Sequence, residues 1–344
     1  MRSVGALTIA VVVVTLLASC TASPKGVATG EGPGAAEPVD KVAVPEPIPV
    51  AVWPLTGVAT DEVAPRPALS IKIENSSQAR PQTGLEQADI VWEEMVEGGI
   101  TRFNAVFHSS IPATVGPIRS LRPMDADISG PLGGLFVASG GQRQFYNEVA
   151  KTGLTMLTHD GGASGFYRNQ DRVAPHNVFG EPEVFLEQGG DQGPPPPQFS
   201  WGRDLDEATA MTGAIAQNIR LTFPAASPGW QWDGQSYLRE EGSDPAETTD
   251  GGQIEAVNII VLRVEITYSG ATDPAGSPVP ETVLTGTGEA LVAAGGHYVE
   301  ATWAKTDATG ALQLTGPDGA AVVLAPGNTW VELVPVNGSQ VSIS

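Results

Sequence analysis

The stretch Ala68-Leu69-Ser70-Ile71-Lys72-Ile73-Glu74 puts an apolar side chain at every second position from Leu69, the period of a β-strand with one packed face. Reading outward from it, Gly84-Leu85-Glu86-Gln87-Ala88-Asp89 suits a short helix and Ile90 to Glu94 the next strand. Thr101 to Ser109 alternates again, with Phe103, Ala105 and Phe107 on one face. A helix is expected within Pro123 to Ser129 and a buried strand at Leu135 to Ala138. A second helix is expected over Gln142 to Lys151, after Gly140-Gly141. Strands and helices in turn predict an α/β domain over residues 51–200. Thr158 to Asn177 is polar and glycine-rich without a period, and loops of that length in a compact domain are usually functional or mobile. Pro194 to Pro197 reads as a stiff spacer.

Beyond the spacer the pattern changes to strands parted by turns. Strands are expected at Ile219–Phe223, Asn258–Tyr268, Glu289–Val292, His297–Lys305, Ala311–Leu314, Ala321–Leu324 and Thr329–Pro335. Asp233-Gly234, Pro317-Asp318-Gly319 and Pro326-Gly327-Asn328 supply turns between them. Residues 201–344 therefore read as a β-rich C-terminal domain in which Trp303 and Trp330 serve as core. No internal repeat is visible.

The N-terminus addresses location. Arg2 precedes an uncharged apolar run from Val4 to Ala18, shorter than the ~20 residues of a membrane-spanning helix. Residues 1–20 have the proportions of a signal peptide. They close on Leu17-Ala18-Ser19-Cys20, which resembles the lipobox of bacterial lipoproteins. Cys20 is the only cysteine, so no internal disulfide can form, and acylation gives its thiol a use. A diacylglyceryl thioether with palmitate-type chains would hold the protein to the membrane on the extracytoplasmic side. Residues 21–50, with six prolines and four glycines in Thr21–Val50, read as a disordered tether.

The charge of the chain is −21, which disfavours nucleic acid and anionic lipid surfaces as partners. It is unevenly spread: Arg66 to Arg172 holds 10 basic and 11 acidic residues, Val173 to Ser344 only 5 basic and 22 acidic. The cations thus concentrate in the first half. His108, His159, His176 and His297 show no HxH or HExxH spacing, so no metal site is expected, and no motif implies a cofactor. No GxSxG elbow occurs, and Gly161-Gly162-Ala163-Ser164-Gly165 leads to no GK[ST], which excludes a P-loop. Glu93, Glu94 and Glu97 could include one acid/base pair, but on a strand and its following turn they read as a solvated edge.

The order of these segments resembles the YerB-type bacterial lipoproteins. The stretches that carry the resemblance are Arg80-Pro81-Gln82-Thr83-Gly84-Leu85, Ala88-Asp89-Ile90-Val91, Glu97-Gly98-Gly99-Ile100-Thr101-Arg102 and Gly116-Pro117-Ile118-Arg119-Ser120-Leu121-Arg122. Arg172-Val173-Ala174-Pro175-His176-Asn177, Asn258-Ile259-Ile260-Val261, Thr302-Trp303-Ala304-Lys305 and Pro326-Gly327-Asn328-Thr329-Trp330 continue it. Glu74-Asn75-Ser76 and Pro123-Met124 depart from the family pattern. The resemblance implies a two-domain lipoprotein facing the cell envelope and supplies no reaction.

Arg102, Arg119, Arg122, Arg143, Arg168, Arg172, His176 and Asn177 form the candidate site. Arg119 and Arg122 flank Ser120-Leu121 and could face one concavity near a helix N-terminus, a setting suited to an oxyanion. Guanidinium forks grip phosphate or carboxylate with two bonds, and His176 could donate to a phosphate oxygen or act as acid or base. The plainer reading pairs Arg102 with Glu97, Arg122 with Asp125 or Asp127, and Arg172 with Asp171. Two functions follow. One is a binding or scaffold module for an anionic envelope component or envelope protein, and composition favours it. The other is an envelope-assembly enzyme acting on a polyprenyl-phosphate-linked substrate. Gly116 to Arg122 is similar to the arginine strand of LytR-CpsA-Psr phosphotransferases, although Ser120 follows Arg119 where those enzymes carry Pro-Arg-Asp.

Overall fold

Leu69, Ile71 and Ile73 point to one side of strand β1 (Leu69–Glu74) and Ser70, Lys72 and Glu74 to the other, and both sides are buried. The alternation therefore marks a strand at the centre of the molecule, with polar residues inside as well as apolar ones. The computed structural model describes residues 50–344. The expected signal segment, Cys20 and the expected tether as far as residue 49 lie outside the described residues. No helix among the described residues is long and apolar enough to cross a membrane.

The N-terminal half continues with β2 (Ile90–Met95), β3 (Thr101–Phe107), α1 (Asp125–Ser129), β4 (Leu135–Ala138), α2 (Arg143–Lys151) and β5 (Thr155–Thr158). Then come β6 (Phe166–Arg168), β7 (Val178–Gly180) and α3 (Pro182–Leu186). The C-terminal half holds β8 (Asn218–Thr222), β9 (Pro228–Trp232), β10 (Tyr237–Glu241), β11 (Asn258–Thr272), β12 (Pro278–Val283) and β13 (Gly286–Ala294). It ends with β14 (His297–Lys305), β15 (Gln313–Thr315), β16 (Thr329–Pro335) and β17 (Gln340–Ile343).

A 12-stranded sheet runs through both halves in the order β14-β13-β11-β16-β2-β3-β1-β4-β5, with Ala214–Ile215 beyond β14, β12 on β11 and β15 on β14. The halves join where β16 pairs in parallel with β2, Thr329 opposite Ile90 and Glu332 opposite Glu93. A second sheet, built on β10-β9-β8-β17, covers one face of the first. Ile219, Leu221, Trp230 and Tyr237 pack there against Ile71, Ile73, Phe103, Val261 and Trp330. On the opposite face Met124 and Ile128 from the α1 region pack with Trp92, Val106, Ile260 and Leu262. Each fully buried side chain of this kind is worth about 1.5–3 kcal/mol.

Strand predominates. The α/β alternation expected for residues 51–200 reduces to one βαβ unit, β4-α2-β5, whose strands pair in parallel. The expected helix at Gly84–Asp89 is a single 3-10 turn, Leu85–Gln87. The long polar segment from Thr158 folds back as the β6-β7 hairpin rather than remaining a loop throughout. Trp303 and Trp330 are core residues. Seven of these strands were not expected: β5, β6, β7, β9, β10, β12 and β17.

Candidate functional site

Adjacent residues of a strand face opposite sides of a sheet, so Glu93 and Glu94 of β2 enter two different environments. Both are fully buried and Glu97 is nearly so, which overturns the solvated edge read from the sequence. The edge reading fails because both faces of β2 are covered by other layers.

On the α1 face, Glu74, Arg102 and Glu94 lie side by side across β1, β3 and β2. Lys72 opposes Asn104 two residues further in. Lys72 Nζ is ion-paired with Glu94 and lies 2.8 Å from Asp125 Oδ1, all without exposure. Asn104 donates to the same Asp125 oxygen at 2.9 Å. Burial, with the nearby Asp125 charge, pushes the Glu94 carboxyl up to about 7.

Toward solvent the cluster becomes cationic. Arg122 Nη2 donates to Glu97 Oε2 at 2.7 Å, and its Nε stands 2.6 Å from Oε1 as an ion-pair contact without a hydrogen bond. Arg102 Nη1 donates to Ser120 O at 3.0 Å, its Nη2 lies 4.0 Å from Glu97, and its buried Nε has no partner. Burial first, then the Arg122 guanidinium, and less strongly Arg119, bring Arg102 down to about 9. Arg119 Nε lies 3.2 Å from Glu74 Oε2, and His176 Nδ1 lies 2.8 Å from Glu74 Oε1. Ser76 Oγ donates to Oε1 as well, at 2.8 Å. Arg119 and His176 keep 23% and 22% of their side chains open, whereas Glu74 keeps 3%.

The backbone explains the convergence. Segment 115–121 is laid across the carboxyl ends of the parallel strands β1 and β4: Glu74 N donates to Pro117 O, Arg119 N to Lys72 O, Ser139 N to Arg119 O and Leu121 N to Gly140 O. Such strand ends are where open sheets with parallel strands hold ligands. Gly141 permits the approach, since a Cβ there would stand 2.6 Å from Leu121 Cγ.

Of the eight residues picked from the sequence, Arg102, Arg119, Arg122 and His176 are brought together around Glu74 and Glu97. Arg172 braces the site: Nη1 donates to Ala79 O at 2.8 Å, Nη2 to Pro81 O, and its guanidinium lies over Phe179. It thereby ties the His176 loop to the Asn75–Gln82 loop, and it does not pair with Asp171. Arg168 donates to Asn177 Oδ1 at 2.8 Å, so these two hold the same loop from within. Arg143 is exposed on the first turn of α2 and joins neither carboxylate. It stands apart because the helix turns its side chain outward.

The other face of β2 carries a cluster that the sequence did not announce. Arg239 has no exposure and bonds Glu93 Oε2 at 2.8 Å, Glu241 Oε1 at 2.7 Å and Glu332 Oε1 at 3.2 Å. Trp330, Phe103 and Trp230 enclose its guanidinium at 4.7, 5.1 and 5.2 Å. Trp230 Nε1 also donates to Glu332 at 2.8 Å. Burial and the neighbouring Glu93 hold the Glu332 carboxyl well above the carboxylate range. Burial would do the same to Glu93, but Arg239 and hydrogen bonds from Glu332 and Thr101 bring it below its usual value. One signal existed: Glu332 interrupts the apolar run Trp330-Val331-Glu332-Leu333-Val334, so a buried cation was owed to it.

The N-terminal domain model of a family described as a protein of unknown function (DUF3048) matches residues 55–194, and its C-terminal domain model matches residues 219–331. The chain is 28% identical over 309 residues to YerB of Bacillus subtilis (strain 168), a protein named provisionally as a lipoprotein; the alignment covers 86% of this chain and 89% of YerB. The crystal structure of the YerB protein from Bacillus subtilis superposes with a TM-score of 0.72 at 25% identity, covering 85% of this chain and 99% of that one.

Proposed function

The chain belongs to the DUF3048 family of YerB-type lipoproteins, and from that premise we propose that it is a cell-envelope binding module holding an anionic group at Arg119 and His176. The observation that carries the reading is their shared dependence on buried Glu74. Both side chains are fixed at the carboxyl ends of parallel strands while about a fifth of each stays open. Arg102, Arg119 and Arg122 gather here around Glu74 and Glu97, with Glu94 behind Arg102, in a chain of net charge −21. A phosphate or carboxylate would take the open faces of Arg119 and His176 through charge-assisted hydrogen bonds. The lipid on Cys20 would anchor the module on the extracytoplasmic side.

A second reading, an envelope-assembly enzyme, draws on one feature. Glu74 occupies His176 Nδ1, so any proton transfer by this ring would fall to Nε2.

Titration of the full chain in detergent micelles with inorganic phosphate tests the binding site. Arg119→Gln together with His176→Asn should weaken binding at least about tenfold, the effect of losing one or two charge-assisted bonds. Unchanged affinity would remove the site. Arg122→Ala is the wrong probe, because it strands buried Glu97 and unsettles the fold. For the anchor, Cys20→Ser should free the protein into the medium or leave it unprocessed; normal maturation and membrane fractionation would exclude the lipid.

A further inference from the structure

Ser76 stands on the boundary of two spaces. Its Oγ lies 2.8 Å from Glu74 Oε1 and 3.5 Å from His176 Nδ1, on the anion side. The same residue lines a cavity of about 390 Å³ walled by Asn75, Arg80 and Thr101 from the first half and Ser227 and Glu241 from the second. A space of that volume lies within the range of small-molecule sites, roughly 300–1,000 Å³.

The charges around this cavity cancel. Arg80 Nη2 is 2.8 Å from Glu241 Oε2, and the other Glu241 oxygen is taken by Arg239. Behind them Glu93 answers Arg239, and burial beside Glu93 holds the Glu332 carboxyl well above the carboxylate range. A second anion or a free cation would find no unmatched partner. What the walls offer is neutral hydrogen bonding: the hydroxyls of Ser76 and Ser227 and the amide of Gln78. No aromatic ring lines the space, so a flat base has nothing to stack on. Asn75 forms a rigid floor, since its Nδ2 reaches Thr101 Oγ1 at 2.9 Å and Glu241 at 3.3 Å, and its Oδ1 receives Arg80 and Gln82 at 3.1 Å each.

The geometry points to a sugar phosphate as the ligand class, with the phosphate on Arg119 and His176 and the uncharged, hydroxyl-rich ring in the cavity beyond Ser76. This assignment rests on the anion site proposed above and adds the chemistry of what is attached to the anion.

Calorimetric titration of the full chain in detergent micelles with inorganic phosphate, glucose and glucose 1-phosphate tests it. Glucose 1-phosphate should bind about tenfold tighter than phosphate, as two additional hydrogen bonds would give. Ser227→Trp, at an exposed position whose bulk would fill the cavity, should erase that advantage and leave phosphate affinity unchanged; Ser77→Trp serves as an independent second filling. Equal affinity for phosphate and glucose 1-phosphate in the unaltered protein would overturn the sugar subsite while leaving the anion site intact. So would an advantage that survives both tryptophan substitutions. Absence of binding by phosphate and glucose 1-phosphate alike would overturn the anion site itself, and the subsite with it.

Discussion

Glu93 and Glu94 are neighbours in one strand, yet they anchor ionic clusters of opposite character. The Glu93 cluster is closed: Arg239 has three carboxylates and three aromatic rings around it and no exposure. The Glu94 cluster is open at one end, running from fully buried Lys72 and Asp125 through Arg102 to Arg119 and His176 at the surface. A guanidinium whose donors are all answered inside the protein has nothing left for a ligand. Arg119, with 23% of its side chain open, retains that capacity. Counting arginines therefore says less about function than asking which of their donors remain unanswered.

The largest expected effect lies in the closed cluster. Arg239→Met should cost about 3–5 kcal/mol of unfolding free energy, because removing one partner strands buried carboxylates. Chemical denaturation checks it, and a loss below about 1 kcal/mol would show that those carboxylates are neutral without the arginine.

A smaller effect belongs to the buried end of the open cluster and depends on pH. The Glu94 carboxyl is raised to about 7 from 4.5. The folded state thus holds a proton that the unfolded chain has released, so the stability linked to Glu94 is present below about pH 4.5 and is lost as pH rises toward 7. The loss is on the order of 3 kcal/mol for a shift of this size. Glu94→Gln should flatten the fall in stability over that window. An unchanged pH slope would place the proton on another group.

The smallest stability effect is expected where the function is proposed. Arg119→Gln should change unfolding free energy by no more than about 1 kcal/mol, since a partly solvated ion pair contributes little. A larger loss would make Arg119 a structural residue, and the contrast between the two clusters would collapse.

The fold was legible wherever alternation was strong. β1, β3 and β14 follow their apolar period, and Leu135–Ala138, His297–Lys305 and Thr329–Pro335 were bounded correctly from the sequence. β9 escaped notice because Pro228 and Gly229 open it, and β10 because Arg239, Glu240 and Glu241 resemble a solvated terminus. In the candidate site, the spacing of Arg119 and Arg122 pointed to two residues that the fold brings to the buried carboxylates Glu74 and Glu97. It could not reveal that Glu97 consumes Arg122, because that partner lies 25 residues away and reaches it only through the fold. Arg143 was included on proximity in the chain alone. Glu93 and Glu94 were misread because a strand covered on both faces and an exposed edge can carry the same two letters.

The contrast can be read in one titration. Phosphate added to the full chain in micelles should shift the Nε–H resonance of Arg119 and the ring signals of His176 while leaving the Nε–H of Arg239 in place. Motionless Arg119 and His176 signals, or equal shifts at Arg119 and Arg239, would contradict an open anion site beside a closed structural one.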